Sequence, residues 1–271
     1  MQRVEIATLE NLFNDLLAKY NVDLSNYAEA SLERRIERFL ALHHFDDAEK
    51  LGDRLLSDAS FFDLFVKEIT VNTTEMFRDP TCWKVVRDEI LPLVAAHPGI
   101  RIWHAGCSSG EEVYSMAIML KEEGLLEKTK IIASDLNKEV MQTAMNGTYS
   151  VKSLEINEEN YLRAGGKAEL ASYYEKTGSV FKMKKELVEN VRFLKHDLST
   201  GEPFSKFDII LCRNVLIYFN KQLQEKVFGI FQQSLFKRGY IVLGKKESMA
   251  YYTGYSSFSD FNQVEKIYRL K

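Results

Sequence analysis

The sequence predicts an α/β protein: a mostly parallel sheet with helices on both faces, preceded by a small all-helical segment. Three observations carry that expectation. Short apolar runs alternate with helical stretches from about residue 100 onward, the first ~75 residues show helical periodicity with no strand signal, and a two-glycine loop follows the first apolar run.

In "LENLFNDLLAKY", Leu9, Leu12, Phe13, Leu16, Leu17 and Tyr20 recur at helical spacing and predict one buried stripe. "SLERRIERFLAL" repeats the pattern with Leu32, Ile36, Phe39 and Leu40, and Ser31 is the expected N-cap. "DDAEKLGDRLLSD" and "SFFDLFVKEI" supply two further helices. At "TVNTTEMFRDP" β-branched and turn residues break the period and Pro80 opens the next segment, so the expected division is 1–75 helical and 76–271 α/β. Beyond it, "IRIWHA", "KIIASDL", "FDIILCRN" and "YIVLG" read as strands. Between them, "EEVYSMAIMLKEEG", "KEVMQTAMNG" and "KQLQEKVFGIFQQSLFKRG" read as helices. "SFSDFNQVEKIYRLK" predicts a closing antiparallel hairpin. A long insertion, roughly 147–195, holds "EKTGSVFKM", which predicts a small β appendage within about 171–190.

Composition narrows the function. The chain has 271 residues, 45% hydrophobic and 28% charged, enough for a full core. A net charge of -3 argues against a protein that coats nucleic acid. No apolar run is long enough for a membrane span, and the first residues lack the features of a signal peptide, so a cytoplasmic protein without membrane insertion is expected. Cys82, Cys107 and Cys212 have no paired spacing and read as reduced, packed thiols, with no metal site expected.

In an open parallel sheet, ligands bind beyond the carboxyl ends of the strands. "HAGCSSGEEVYS" stands at the first of these ends, with Gly106 and Gly110 in G-x-x-x-G spacing rather than a dinucleotide fingerprint. Asp135 ends the second strand and fits either a ribose contact or the N-cap of the next helix. Glu112 reads as a complement to the helix macrodipole or as a ligand contact, and Glu111, nearest the loop, as facing a cation. Carboxylates here repel a pyrophosphate but suit S-adenosylmethionine, a nucleoside with a sulfonium, an ammonium and no phosphate. A nicotinamide dehydrogenase is therefore disfavoured.

"VNTTEMFRDP", "HAGCSSGEEVYSMAIML", "IIASDLNKEVMQTAMNGTYS", "FDIILCRNVLIYFN" and "GYIVLGKKES" together resemble the CheR family of chemotaxis receptor methyltransferases, in the right order through nearly the whole chain. The resemblance implies a Rossmann-like S-adenosylmethionine-dependent methyltransferase domain behind the helical domain. It also implies transfer of methyl groups to glutamate side chains on chemoreceptor cytoplasmic helices. Cofactor contacts implied by it are Asn72, Thr74, Arg78, Glu111, Asp135, Asp197, Leu198, Arg213 and Asn214, with Arg78 and Tyr218 nearest the transferred methyl group. Arg34, Arg35 and Arg38 occupy the region that meets the receptor, although Glu33 and Glu37 leave only +1 from 31 to 40. The chain departs from the family at "GKKE", where "GHSE" is frequent, placing Lys245 and Lys246 near the expected cofactor pocket. The insertion lacks the glycine-spaced pattern of members that tether to a receptor pentapeptide. A monomer is expected, and the competing reading from another class is a signalling module that binds S-adenosylmethionine without transferring its methyl group.

Overall fold

The computed structural model describes residues 9–70 and 74–271. Four helices come first: α1 (Glu10–Tyr20), α2 (Glu29–Leu42), α3 (Ala48–Ser57) and α4 (Ala59–Ile69). Their apolar stripes meet in one core that includes Phe13, Leu16, Ile36, Phe39, Leu51 and Phe65. Asp47 and Asp58 cap α3 and α4 by accepting backbone N–H bonds. The expectation for α2 needs correction: it starts at Glu29, two residues before the predicted cap Ser31. Glu29 and Ala30 are good helix formers and extend the helix upstream.

A bent helix follows, as α5 (Pro80–Val85), a π-helical turn (Val86–Ile90) and α6 (Leu91–Val94). The remaining elements are β1 (Ile100–Ala105), α7 (Glu111–Glu122), β2 (Thr129–Asp135), α8 (Lys138–Asn146), β3 (Thr148–Ser150), α9 (Leu154–Arg163), β4 (Tyr174–Thr177), β5 (Val180–Met183), β6 (Val191–Lys195), β7 (Phe207–Cys212), α10 (Lys221–Ser234), β8 (Leu235–Leu243), β9 (Phe258–Asn262) and β10 (Ile267–Leu270). The main sheet has the order β6-β2-β1-β7-β8-β10-β9. Its first five strands are parallel, and β10 and β9 close it as the antiparallel hairpin expected from the sequence. Strand order reverses at β1, since β2 and β6 lie on one side and β7 and β8 on the other. That reversal opens a crevice at the carboxyl ends of β1 and β7.

Period-2 alternation divides the sheet residues between two cores. Ile100, Ile102, Ile209, Leu211, Tyr240 and Val242 join the layer of α5, α7 and α9. Trp103, Ala105, Ile210, Cys212, Ile241 and Leu243 join the layer of α10. All three cysteines are buried and unbridged.

Two expectations of extent are corrected. The helix read through Gly239 ends at Ser234, and β8 begins at Leu235, five residues before the predicted "YIVLG". A register shift in the β7 pairing, with Arg238 at φ +68°, carries the extra residues, and a helical pattern cannot foresee such a bulge. The insertion read as 147–195 gives up its end, because β6 pairs with β2 in the main sheet. What remains holds α9 and a three-stranded sheet, β3-β5-β4, with the β4–β5 turn at Gly178.

A buried network fastens this insertion to the domain. Arg87 donates to Glu122 Oε2 at 2.6 Å, with the two side chains 4% and 3% exposed, and Glu122 also accepts from the hydroxyls of Tyr161 and Tyr173. Arg87→Ala leaves that carboxylate buried without its cation, and we expect a loss of about 3 kcal/mol in urea unfolding. A change below about 0.5 kcal/mol, the range of ordinary surface substitutions, contradicts a structural ion pair.

Candidate functional site

A cleft of about 960 Å³, its open mouth included, lies over the strand-order reversal. Its floor is the loop after β1. There Gly106, Ser108 and Gly110 adopt left-handed φ values of +82°, +49° and +92°. A Cβ on Gly110 would stand 2.6 Å from the Ala144 Cβ, so the turn against α8 requires glycine. Four of the loop's N–H groups are already committed. Those of Gly106 and Cys107 bond Ser134 O at 2.8 and 2.9 Å, that of Gly110 bonds Cys107 O, and that of Ser108 bonds Asp135 Oδ2 at 2.8 Å. A pyrophosphate cradle needs such donors free.

Asp135 thus braces the loop from the end of β2, its other oxygen accepting from Asn137 N at 2.9 Å. Burial pushes its carboxyl upward. It is not the cap of α8: Asn137 performs that role, accepting from Glu139 N and Val140 N. Each Asp135 oxygen keeps a lone pair for ligand hydroxyls. Beyond β6 come His196, Asp197 and the buried Leu198, all lining the cleft. Asp197 Oδ1 accepts from Ser199 N, while its buried Oδ2 has no hydrogen-bond partner among the described residues. His196, between Trp103 and Phe204 with both ring nitrogens buried and unpartnered among the described residues, is driven toward its neutral form by burial. Unmatched acceptors of this kind call for ligand donors.

The expectation for Glu111 is corrected. Its carboxylate folds back onto the Ser109 hydroxyl at 2.7 Å and does not line the cleft, and burial raises its pKa to about 7. Glu112, one position along α7, lines the cleft instead, bonded to His104 Nδ1 at 2.8 Å and Arg213 Nη1 at 3.2 Å. Burial raises its pKa, but the bonds from His104 and Arg213 outweigh it and the net direction is downward.

Arg213 is buried at the end of β7 and also donates to Arg78 O at 2.7 Å and Asp79 Oδ2 at 2.9 Å. Arg78 lines the cleft between two left-handed residues, Phe77 at φ +51° and Asp79 at +56°. Asp tolerates that region, but for a buried Phe it costs on the order of 1–3 kcal/mol. The neighbouring main chain overdetermines it. Met76 is held by Asn157 and Asn160, Phe77 N donates to Ser115 Oγ, and Trp83 Nε1 donates to Arg78 O.

Asn214, Val215 and Tyr218 follow on the same wall, with Asn214 at φ +62°. Sequence reasoning missed the residue that shapes this turn: the buried Glu247 accepts backbone N–H bonds from Asn214, Val215, Leu216 and Gly244 at 2.6–2.9 Å. Its signal is the Glu of "GKKE", whereas the lysines there are corrected. Lys245 and Lys246 are exposed and outside the cleft lining, Lys245 reaching Thr81 Oγ1 at 3.3 Å.

The helical segment closes the cleft with Tyr27, Arg35 and Thr70, beside Thr74 and Glu75. Tyr27 was missed. It stands edge-on to Phe219 and joins a bridge in which Ala28 N donates to Tyr218 O at 2.8 Å. The three arginines of α2 separate: Arg34 and Arg38 are exposed, while Arg35 lies 4.6 Å over the Tyr218 ring and donates to Ile69 O. Asn72 lies outside the described residues.

The acceptor set suits S-adenosylmethionine: Asp135 for hydroxyls, Asp197 Oδ2, unpaired among the described residues, beside Leu198 for an amine, and anionic Glu112 for a cation. The comparisons agree. Residues 72–264 match the family described as "CheR methyltransferase, SAM binding domain", and residues 7–70 match "CheR methyltransferase, all-alpha domain". A Pseudomonas putida protein named Cher3 is 43% identical over 95% of this chain and 94% of its own. Chemotaxis protein methyltransferases of Listeria innocua and Borreliella burgdorferi are 32% and 31% identical, covering 84% and 89% of this chain and 85% and 88% of theirs.

The Glu111 placement has a pH signature. Because its folded pKa lies near 7 against 4.5 unfolded, the folded state holds the extra proton between those values, and stability falls as pH rises through that window. Glu111→Gln removes this decline, and unfolding curves at pH 5 and pH 8 should differ by on the order of 2 kcal/mol less in the variant than in the unmodified chain. Identical pH dependence contradicts a buried, cleft-averted Glu111.

Proposed function

The chain belongs to the CheR methyltransferase family, and we propose that it transfers the methyl group of S-adenosylmethionine to glutamate side chains on chemoreceptor cytoplasmic helices, forming methyl esters. The observation that carries the reading is Arg78, a cation on the cleft wall set between two left-handed residues, its carbonyl held by Trp83 and Arg213, sharing the cleft with Tyr218. The chemotaxis methyltransferases among its relatives support the partner.

S-adenosylmethionine supplies an electrophilic methyl carbon on a sulfonium. A glutamate nucleophile is ionised at neutral pH, so the protein has no proton to remove. Its task is alignment of oxygen, carbon and sulfur. Arg78 holds one carboxylate oxygen through a charge-assisted bond, leaving the other to attack. Tyr218, pinned under Arg35 and by its carbonyl's bond to Ala28, lines the same pocket. Asp135, Asp197, Leu198, Arg213, Asn214 and Thr74 seat or brace the nucleoside end, and Glu112 faces the cationic end.

Receptor contact falls to the exposed Arg34 and Arg38, while Arg35 serves the cleft. Residues 9–70 hold thirteen Asp and Glu against seven Lys and Arg, so the helical segment as a whole repels an acidic helix. Docking then depends on these two side chains and on register, and salt weakens it only modestly.

With labelled S-adenosylmethionine and receptor-containing membranes, base-labile label on glutamate is expected. Arg78→Ala should lower turnover by about a hundredfold or more while affinity for S-adenosylhomocysteine changes by less than about fivefold. Tyr218→Phe should cost about tenfold or less, since no proton transfer is needed. Full loss with Tyr218→Phe beside an active Arg78→Ala refutes the alignment mechanism. Base-stable label refutes the ester.

A further inference from the structure

Glu112 reaches the cleft from the first turn of α7, and both of its oxygens are held from behind. Arg213 takes one and is itself shared with Asp79. His104, on β1 and wholly buried, takes the other through Nδ1 at 2.8 Å. The opposite ring nitrogen, Nε2, is also buried and has no hydrogen-bond partner among the described residues.

That asymmetry favours a hydrogen on Nδ1. A doubly protonated ring would bury an N–H with no acceptor and add a second cation beside Arg213. A neutral ring with its hydrogen on Nδ1 donates to Glu112 and leaves only an idle lone pair at Nε2. A neutral ring leaves two carboxylates, Glu112 and Asp79, facing one guanidinium, a surplus of negative charge on this wall. Of the two cationic centres in S-adenosylmethionine, only the α-ammonium has N–H donors for the free lone pairs of Glu112. Resting on the reading of this cleft as the cofactor site, we propose that His104 is a positioning residue: as a neutral Nδ1–H donor it fixes the rotamer of Glu112 so that the carboxylate receives the α-ammonium of the cofactor's amino-acid moiety.

Calorimetry with two ligands tests it. S-adenosylhomocysteine keeps the ammonium, and 5′-methylthioadenosine has the same nucleoside without it. His104→Leu should weaken S-adenosylhomocysteine by about tenfold and 5′-methylthioadenosine by less than about twofold, one charge-assisted bond's worth of difference. His104→Asn, whose amide N–H can stand where Nδ1 stood, should restore most of the loss. Equal weakening of both ligands, no weakening of either, or no recovery with Asn overturns the proposal. Should His104→Leu fail to fold, nitrogen NMR of the unmodified protein decides: a neutral ring protonated at Nδ1 is expected, and an Nε2–H tautomer or an imidazolium at pH 7.5 overturns it. If the unmodified protein binds neither ligand, the cleft assignment itself falls, and this role falls with it.

Discussion

One buried guanidinium holds three separate pieces of this chain in a common geometry. Arg213 stands at the end of β7, stacks 5.6 Å from the Trp83 ring, and donates to Glu112 on α7, to Asp79 and to the carbonyl of Arg78. Desolvating an arginine is costly, and only several matched acceptors make it tolerable. Here those acceptors are the carboxylate that faces the cleft and the strained segment that presents Arg78. The cation that satisfies the buried network therefore also sets the distance between the two ends of the cleft.

A second constraint acts from the other side. Glu247 gathers the N–H groups at residues 214–216 and 244, which permits the left-handed Asn214 and the short turn bearing Tyr218. That turn is then paired through Tyr218 and Asn220 with the loop between α1 and α2. The helical segment is consequently part of the site, bringing Tyr27 and Arg35 over residues supplied by the sheet. Separating the segments would uncover Tyr218 and release Arg35 together.

Alternating apolar runs made the sheet legible, and strand ends made much of the cleft legible, because a doubly wound sheet sends ligand-facing residues to those ends. Asp135, Asp197, Arg213 and Asn214 all stand there. Positions on helices were harder. Glu111 and Glu112 differ by one residue, which is about 100° around a helix, and only the Ser109 bond and the His104 contact decide which faces inward. The same rotation separates Arg35 from Arg34. His104, His196 and Glu247 act through neighbours distant in sequence, and a buried partner leaves no local pattern. The start of β8 was hidden because Leu235 and Phe236 continue the apolar rhythm of α10.

For a carboxylate substrate, the charge layout has a chemical consequence. Attack on a sulfonium by a carboxylate consumes one positive and one negative charge and yields a neutral ester and a neutral thioether. Such a reaction gains when its ions leave water for a cleft walled by Leu198, Val215, Phe219 and Tyr27, since the charge-separated ground state loses more solvation than the dispersing transition state. Desolvation alone would also drive the two ions together in unproductive orientations. In the proposed transfer, Arg78 at one end and Glu112 at the other would prevent that, each binding the charge that does not react in line: one oxygen of the nucleophile, and the ammonium remote from sulfur. Both anchors hang from Arg213, so the alignment that the proposed transfer requires would be fixed by groups that never touch the moving methyl carbon.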